Sequence, residues 1–136
     1  MRKFAAVMAV TILASASPSA HAETYGYNLN LTVATQCTVS HSPIGGSATN
    51  SGEIVLGQIQ EYCNAPTGYE VIVSYTPGTL RGAVLTAGED RVVLNGSGEA
   101  VLSRSIGPRK RERMLIAVPG EAGFDTNMLQ LRLQTA

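Results

Sequence analysis

From Tyr25 to Val39 the chain alternates. Tyr25, Tyr27, Leu29, Leu31, Val33, Thr35, Cys37 and Val39 hold the odd positions, and Gly26, Asn28, Asn30, Thr32, Ala34, Gln36 and Thr38 the even ones. A period of two places successive side chains on opposite faces of a pleated strand, whereas an amphipathic helix needs apolar residues at i, i+3, i+4 and i+7. The pattern therefore predicts a strand. At ~3.4 Å per residue the stretch would reach roughly 50 Å, longer than the about 3–10 residues of an ordinary strand. Two readings are open. Either the part with Cys37 joins the domain's own sheet while the part before it adds to the sheet edge of a neighbouring molecule, or one long strand bends near Ala34 or Gln36 and crosses from one sheet to another.

The same reading continues to the end. Ser40 to Gly52 is rich in turn formers and reads as a loop. Glu53 to Ile59 reads as a short strand, with Gly57 marking a bulge or a close backbone approach. Gln60 to Gly68 reads as a turn that carries Cys63. Tyr69 to Tyr75 alternates again, with Tyr69, Val71, Val73 and Tyr75 on one face. Strands are expected at Arg81–Thr86, Arg91–Leu94, Glu99–Ser103, Met114–Val118 and Met128–Gln134, with a turn at 87–90 and a loop at 119–127. Asn95-Gly96-Ser97-Gly98 is the clearest hairpin signal. The tally is seven or eight short strands with no helix in the exported part of the chain. Turn signals at about 8–12-residue spacing favour an all-β immunoglobulin-like β-sandwich.

Residues 1–22 change the picture, because they read as a removable leader. Arg2 and Lys3 precede an apolar run from Phe4 to Ala14, and Ala20-His21-Ala22 closes it with the small-x-small pattern of a secretory signal peptide. The apolar run is too short for the ~20 residues of a membrane span. Cleavage after Ala22 takes 22 residues from 136 and leaves 114, one domain of ordinary size. Loss of Arg2 and Lys3 lowers the basic count from 10 to 8 against 10 acidic residues, a net charge of −2. That balance demands neither nucleic acid nor an acidic partner. The low charged fraction, 15%, and the 14 glycines suit short strands and tight turns.

Export also bears on Cys37 and Cys63. An even pair in an oxidising compartment reads as a disulfide, and closing that loop would stabilise the fold by about 3.5 kcal/mol on a chain-entropy estimate. Two free thiols, or half of a zinc site, are the alternatives.

Little else suggests chemistry. The one charge cluster, Arg104 to Arg113, contains Arg104, Arg109, Lys110, Arg111 and Arg113. As a loop it could meet an anionic partner, but no aromatic residue is interleaved for base stacking. The bland reading is a solvated connection. His41 is the one histidine after the leader and falls in the Gly/Ser/Pro-rich stretch, where no sequence cue gathers a nucleophile and a carboxylate around it. Glu53, Glu61, Glu70, Glu89, Asp90, Glu99, Glu121 and Asp125 all fall where solvated turn or strand-face carboxylates would. The expectation is a non-enzyme without metal, cofactor or nucleic-acid partner.

Several residues together carry a family resemblance. They are a leader, an alternating strand running into Cys37-Thr38-Val39-Ser40, Leu56-Gly57 in a short strand, Cys63 followed by Gly68-Tyr69, and Asp125-Thr126 before an alternating last strand. The chain resembles the pilins of the chaperone–usher kind, with the nearer likeness to spore-coat-U-like and archaic fimbrial subunits. The resemblance implies an incomplete immunoglobulin-like domain at 34–136, one strand short. It also implies a donor strand within 23–33 that enters the groove of the next subunit. Tyr25, Tyr27, Leu29, Leu31 and Val33 would be the donor side chains, Cys37 and Cys63 the disulfide, and Leu129, Leu131 and Leu133 one groove wall. The partners so implied are other subunits or copies of the chain, a periplasmic chaperone and an outer-membrane usher. The location would be the periplasm and then a fibre at the cell surface, with adhesion as the role. A self-contained exported β-sandwich that binds a protein or carbohydrate through the Arg104–Arg113 stretch is the alternative.

Overall fold

The computed structural model describes residues 25–126 and 129–136. The leader at 1–22, the first two residues of the expected donor segment, and Asn127 and Met128 lie outside them. The described chain is all β, with eight strands in two antiparallel sheets and no helix, an arrangement consistent with an immunoglobulin-like sandwich. The strands are β1 (Cys37–Ala48), β2 (Ile54–Cys63), β3 (Tyr69–Ser74), β4 (Val84–Ala87), β5 (Asp90–Val93), β6 (Glu99–Ser105), β7 (Arg109–Val118) and β8 (Gln130–Thr135). One sheet has the order β1-β2-β7-β4-β5 and the other β6-β3-β8. Both belong to one compact unit, Val33–Ala136.

The alternation of β3 does what its sequence demands. Tyr69, Val71, Val73 and Tyr75 turn inward and are buried, facing Ile59, Leu85, Leu115 and Ala117 of the larger sheet. The disulfide joins Cys37 to Cys63 and ties the start of β1 to the end of β2, where the two residues are also register partners. Gly57 sits at a bulge in β2 with φ of 127°. A Cβ there would collide with the carbonyl of Ser42 and come within 2.9 Å of Ile44 N and Pro43 Cα. Only glycine admits that approach of β1.

Five expectations change. The run Tyr25 to Gln36 forms no strand, and the β1–β2 ladder starts at Cys37. Alternation says which residues could share a face, but a strand also needs the repeating bonds of a ladder, which β1 and β2 begin at Cys37. The stretch from Ser40 to Ala48 is strand rather than loop, because β1 is an edge strand, where Pro43 and glycines are tolerated. Likewise Gln60–Cys63 continues β2 instead of turning. Asn95–Gly98 is not a hairpin. β5 pairs with β4 across Gly88-Glu89, and β6 pairs with β3, so Asn95–Gly98 hands the chain from one sheet to the other. The turn chemistry is as read: Asn95 Oδ1 accepts from Ser97 N at 2.8 Å, and the Tyr75 hydroxyl accepts from Gly96 N at 3.1 Å. The Tyr75 anchor redirects the chain.

The basic stretch is the largest correction. Only 106–108 is a bend; Arg104 lies in β6, and Arg109, Lys110, Arg111 and Arg113 lie in β7, a central strand between β2 and β4.

Candidate functional site

Two features share the space between the sheets. The first is open and largely uncharged, with apolar and polar side chains in its lining. β1 is one edge of the larger sheet and β8 one edge of the smaller, and a groove of about 610 Å³ runs between them. Its lining combines Val39, His41, Pro43 and Ile44 of β1, Ile54 and Leu56 of β2, Leu115 of β7, and Phe124, Leu129 and Leu131 beside and on β8. A dry cavity of ~150 Å³ takes one benzene-sized group, so the groove has room for several side chains.

Each wall follows from local structure. Leu129, Leu131 and Leu133 alternate along β8 with exposed Gln130, Arg132 and Gln134, and all three leucines pack half-buried against the core. Leu129 and Leu131 line the groove, whereas Leu133, opposite Val71, lies further along the strand and is not among its lining residues. His41 lies on β1 rather than in a loop, and its Nε2 lies 3.0 Å from the Leu56 carbonyl, to which it can donate.

The segment expected to fill such a groove is apolar and exposed. Tyr25, Tyr27, Leu29, Leu31 and Val33 have 68–92% of their surface accessible. The backbone just after it is pinned. Asn64, the residue after β2, donates from Nδ2 to the Ala34 carbonyl at 2.9 Å, accepts from Gln36 N on Oδ1 at 2.6 Å, and donates its own N–H to the Gln36 carbonyl at 3.1 Å.

The second feature is charged and closed. Glu61 of β2 is 1% exposed, in line with Ile59 and Cys63. Its Oε1 accepts from Arg113 Nε at 2.9 Å and also from Arg113 Nη2, and its Oε2 accepts from the Tyr69 hydroxyl at 3.0 Å and Arg111 Nη2 at 3.2 Å. Arg113 also reaches Asp90, the Ala87 carbonyl at 3.0 Å and Ser103 Oγ at 2.9 Å. The Arg111 guanidinium lies 5.9 Å from the centre of the Tyr69 ring. Two carboxylates and two guanidiniums thus bridge six strands of both sheets, with their charges balanced.

Burial pushes the Tyr69 phenol above its ordinary pKa, and the Glu61 carboxylate adds to that while Arg111 opposes it. Burial alone would lower the Arg111 pKa, but Glu61, Tyr69 and Asp90 outweigh it and raise it. Arg111 Nε and Ser105 Oγ are buried without a hydrogen-bond partner. With four donors on it the Glu61 carboxylate is fully served, and the cluster reads as a structural lock between the sheets that leaves Arg111 Nε orphaned.

This cluster was missed as a site, although a signal existed. Counting back by twos from inward Leu115 and Ala117 reaches Arg113 and Arg111, and counting on from Ile59 reaches Glu61. The remaining basic residues do not form one surface with them: exposed Arg104 pairs with Glu70 at 2.6 Å, and Arg109 and Lys110 are exposed on β7.

Among the described residues no group of three or more His, Cys, Asp or Glu is placed to hold a metal ion. No protein-family model, curated protein or solved structure matches this chain.

Proposed function

We propose that the chain is an exported structural subunit of a bacterial surface fibre, assembled when residues 25–33 of one copy lie in the β1–β8 groove of another. The observation that carries this reading is the groove itself. It carries apolar side chains from both sheets among polar ones, is large enough for several side chains, and is bordered by an edge strand of each sheet. An edge so placed is a template for one more strand. The exposed alternating residues Tyr25 to Val33 have the pattern such a strand needs, with one apolar face. A disulfide suits an oxidising compartment, and the resemblance to chaperone–usher pilins supplies the chaperone and usher as expected partners. The alternative binding module keeps Arg104, Arg109 and Lys110 exposed, while Arg111 and Arg113 of its candidate surface are turned into the lock.

The test is an unboiled, non-reducing gel of protein purified from periplasm, beside a form lacking residues 23–33. A ladder that collapses on boiling and vanishes with the deletion is the expected result. A lone monomer band for the intact protein rules out assembly of this kind.

A further inference from the structure

We propose that Asn64 is a directional clamp that prevents residues 25–33 from folding back along their own β1 and so reserves the groove for a second copy. The inference rests on the groove reading above and decides which molecule supplies the strand. To fill its own groove along the free edge of β1 the segment would have to run antiparallel to it, since a parallel neighbour needs a crossover of about a dozen residues and the link here is far shorter. Ala34, Thr35 and Gln36 would then form the hairpin loop. Asn64 holds Ala34 and Gln36 by three hydrogen bonds of 2.6–3.1 Å. Asn64 follows the last residue of β2, so these bonds draw the chain to the β2 side of β1, away from the groove edge.

The loop chemistry agrees. Three-residue hairpin loops close through a residue in the left-handed region, favoured by glycine or asparagine. Ala34-Thr35-Gln36 contains neither, and Leu80 is the only described non-glycine residue with positive φ. A longer loop beginning at Thr32 would not escape the constraint, because Ala34 and Gln36 would still have to leave Asn64.

The experiment compares full-length proteins exported to the periplasm: wild type, Asn64→Asp, Asn64→Ala, and Asn64→Ala combined with Thr35→Asn and Gln36→Gly. Light scattering and unboiled gels report assembly, and urea unfolding with the disulfide intact confirms that each variant is folded. Separately, the domain lacking 23–33 is titrated with a synthetic peptide of residues 23–33. Wild type is expected to form ladders, and the truncated domain to bind the peptide. The triple variant should shift to concentration-independent monomers, raising the monomer fraction roughly tenfold or more, equivalent to ~1.4 kcal/mol. Asn64→Asp keeps the acceptor for Gln36 and loses the donor to Ala34, so its monomer fraction should fall between wild type and the triple variant. A wild-type monomer that becomes unstable on deletion of 23–33 and recovers with the peptide overturns the clamp while leaving the groove reading intact, as does a triple variant that ladders like wild type. A truncated domain that ignores the peptide refutes the groove reading itself and the clamp with it.

Discussion

The two ends of β2 occupy the same space between the sheets and treat it in opposite ways. Near Ile54 and Leu56 the space is open and lined by apolar side chains among polar ones, bordered by β1 and β8; near Glu61 it is ionic and shut by Arg111, Arg113 and Tyr69. A hydrophobic surface tolerates incompleteness, since an exposed leucine loses only transfer free energy, about 25 cal/mol per Å². A buried charge tolerates none, because each unpaired ion costs several kcal/mol. The ionic end can therefore hold the sheets in place whether or not the groove is filled.

The comparison breaks first at Glu61. Glu61→Gln keeps the shape and removes the charge, leaving two buried guanidiniums short of a partner, and should cost about 3–5 kcal/mol in urea unfolding. Replacing the set together, Glu61→Leu with Arg111→Met and Arg113→Leu, should recover most of that loss. Peptide binding in the groove should be unchanged in both. A Glu61→Gln loss below about 1 kcal/mol would mean that water reaches the cluster.

On the proposed reading the groove end responds to ligand instead. For the domain lacking 23–33, a peptide of those residues at a hundredfold excess over Kd should add about 2.7 kcal/mol to unfolding free energy. Leu131→Asp should erase that gain while costing the unliganded domain under about 1 kcal/mol, because Leu131 is only half-buried there. A large intrinsic loss with the gain preserved would show that Leu131 belongs to the core and not to a binding wall.

How much of this was legible follows the same division. The inward frame of β3 was plain because Tyr69, Val71 and Val73 are apolar at every second position. The frame of β7 was obscured because its inward members include Arg111 and Arg113, whose charges read as solvated until Glu61 is known to face them across the β2–β7 ladder. That pairing spans 50 and 52 residues of sequence and has no local trace. Asn95–Gly98 was legible as a turn and not as a crossing between sheets, since turn chemistry is local and the choice of partner strand is not. At the groove, the alternation of Leu129, Leu131 and Leu133 was legible, whereas the β1 wall hid among the turn formers of 40–48.

Gly57 joins the two ends, since it lies between Leu56 of the groove and Ile59 of the core. Gly57→Ala must either move the Ser42–Ile44 backbone or abandon its φ of 127°. The expected cost is about 1–3 kcal/mol, and it should reach the groove, because Pro43 and Ile44 line it. A loss of both stability and peptide affinity is the predicted outcome; a loss of stability alone would place the strain in the core.

The smallest effect is a matter of pH. Burial raises the Tyr69 phenol above its ordinary value near 10, so above that pH the unfolded chain releases a proton that the folded one retains. Stability tied to this residue is complete below pH ~10 and declines as pH rises through the folded-state value, with a slope of at most ~1.4 kcal/mol per unit. Tyr69→Phe should remove that decline and cost about 1 kcal/mol at neutral pH, where Arg111 still serves the Glu61 oxygen that the hydroxyl leaves. The other tyrosines titrate in both proteins, so the difference between wild-type and Tyr69→Phe urea midpoints isolates the residue. It should narrow steadily above pH 10. Midpoints that stay parallel would mean that the phenol ionises as readily folded as unfolded, and that the charged end of the sandwich is not closed to solvent at Tyr69.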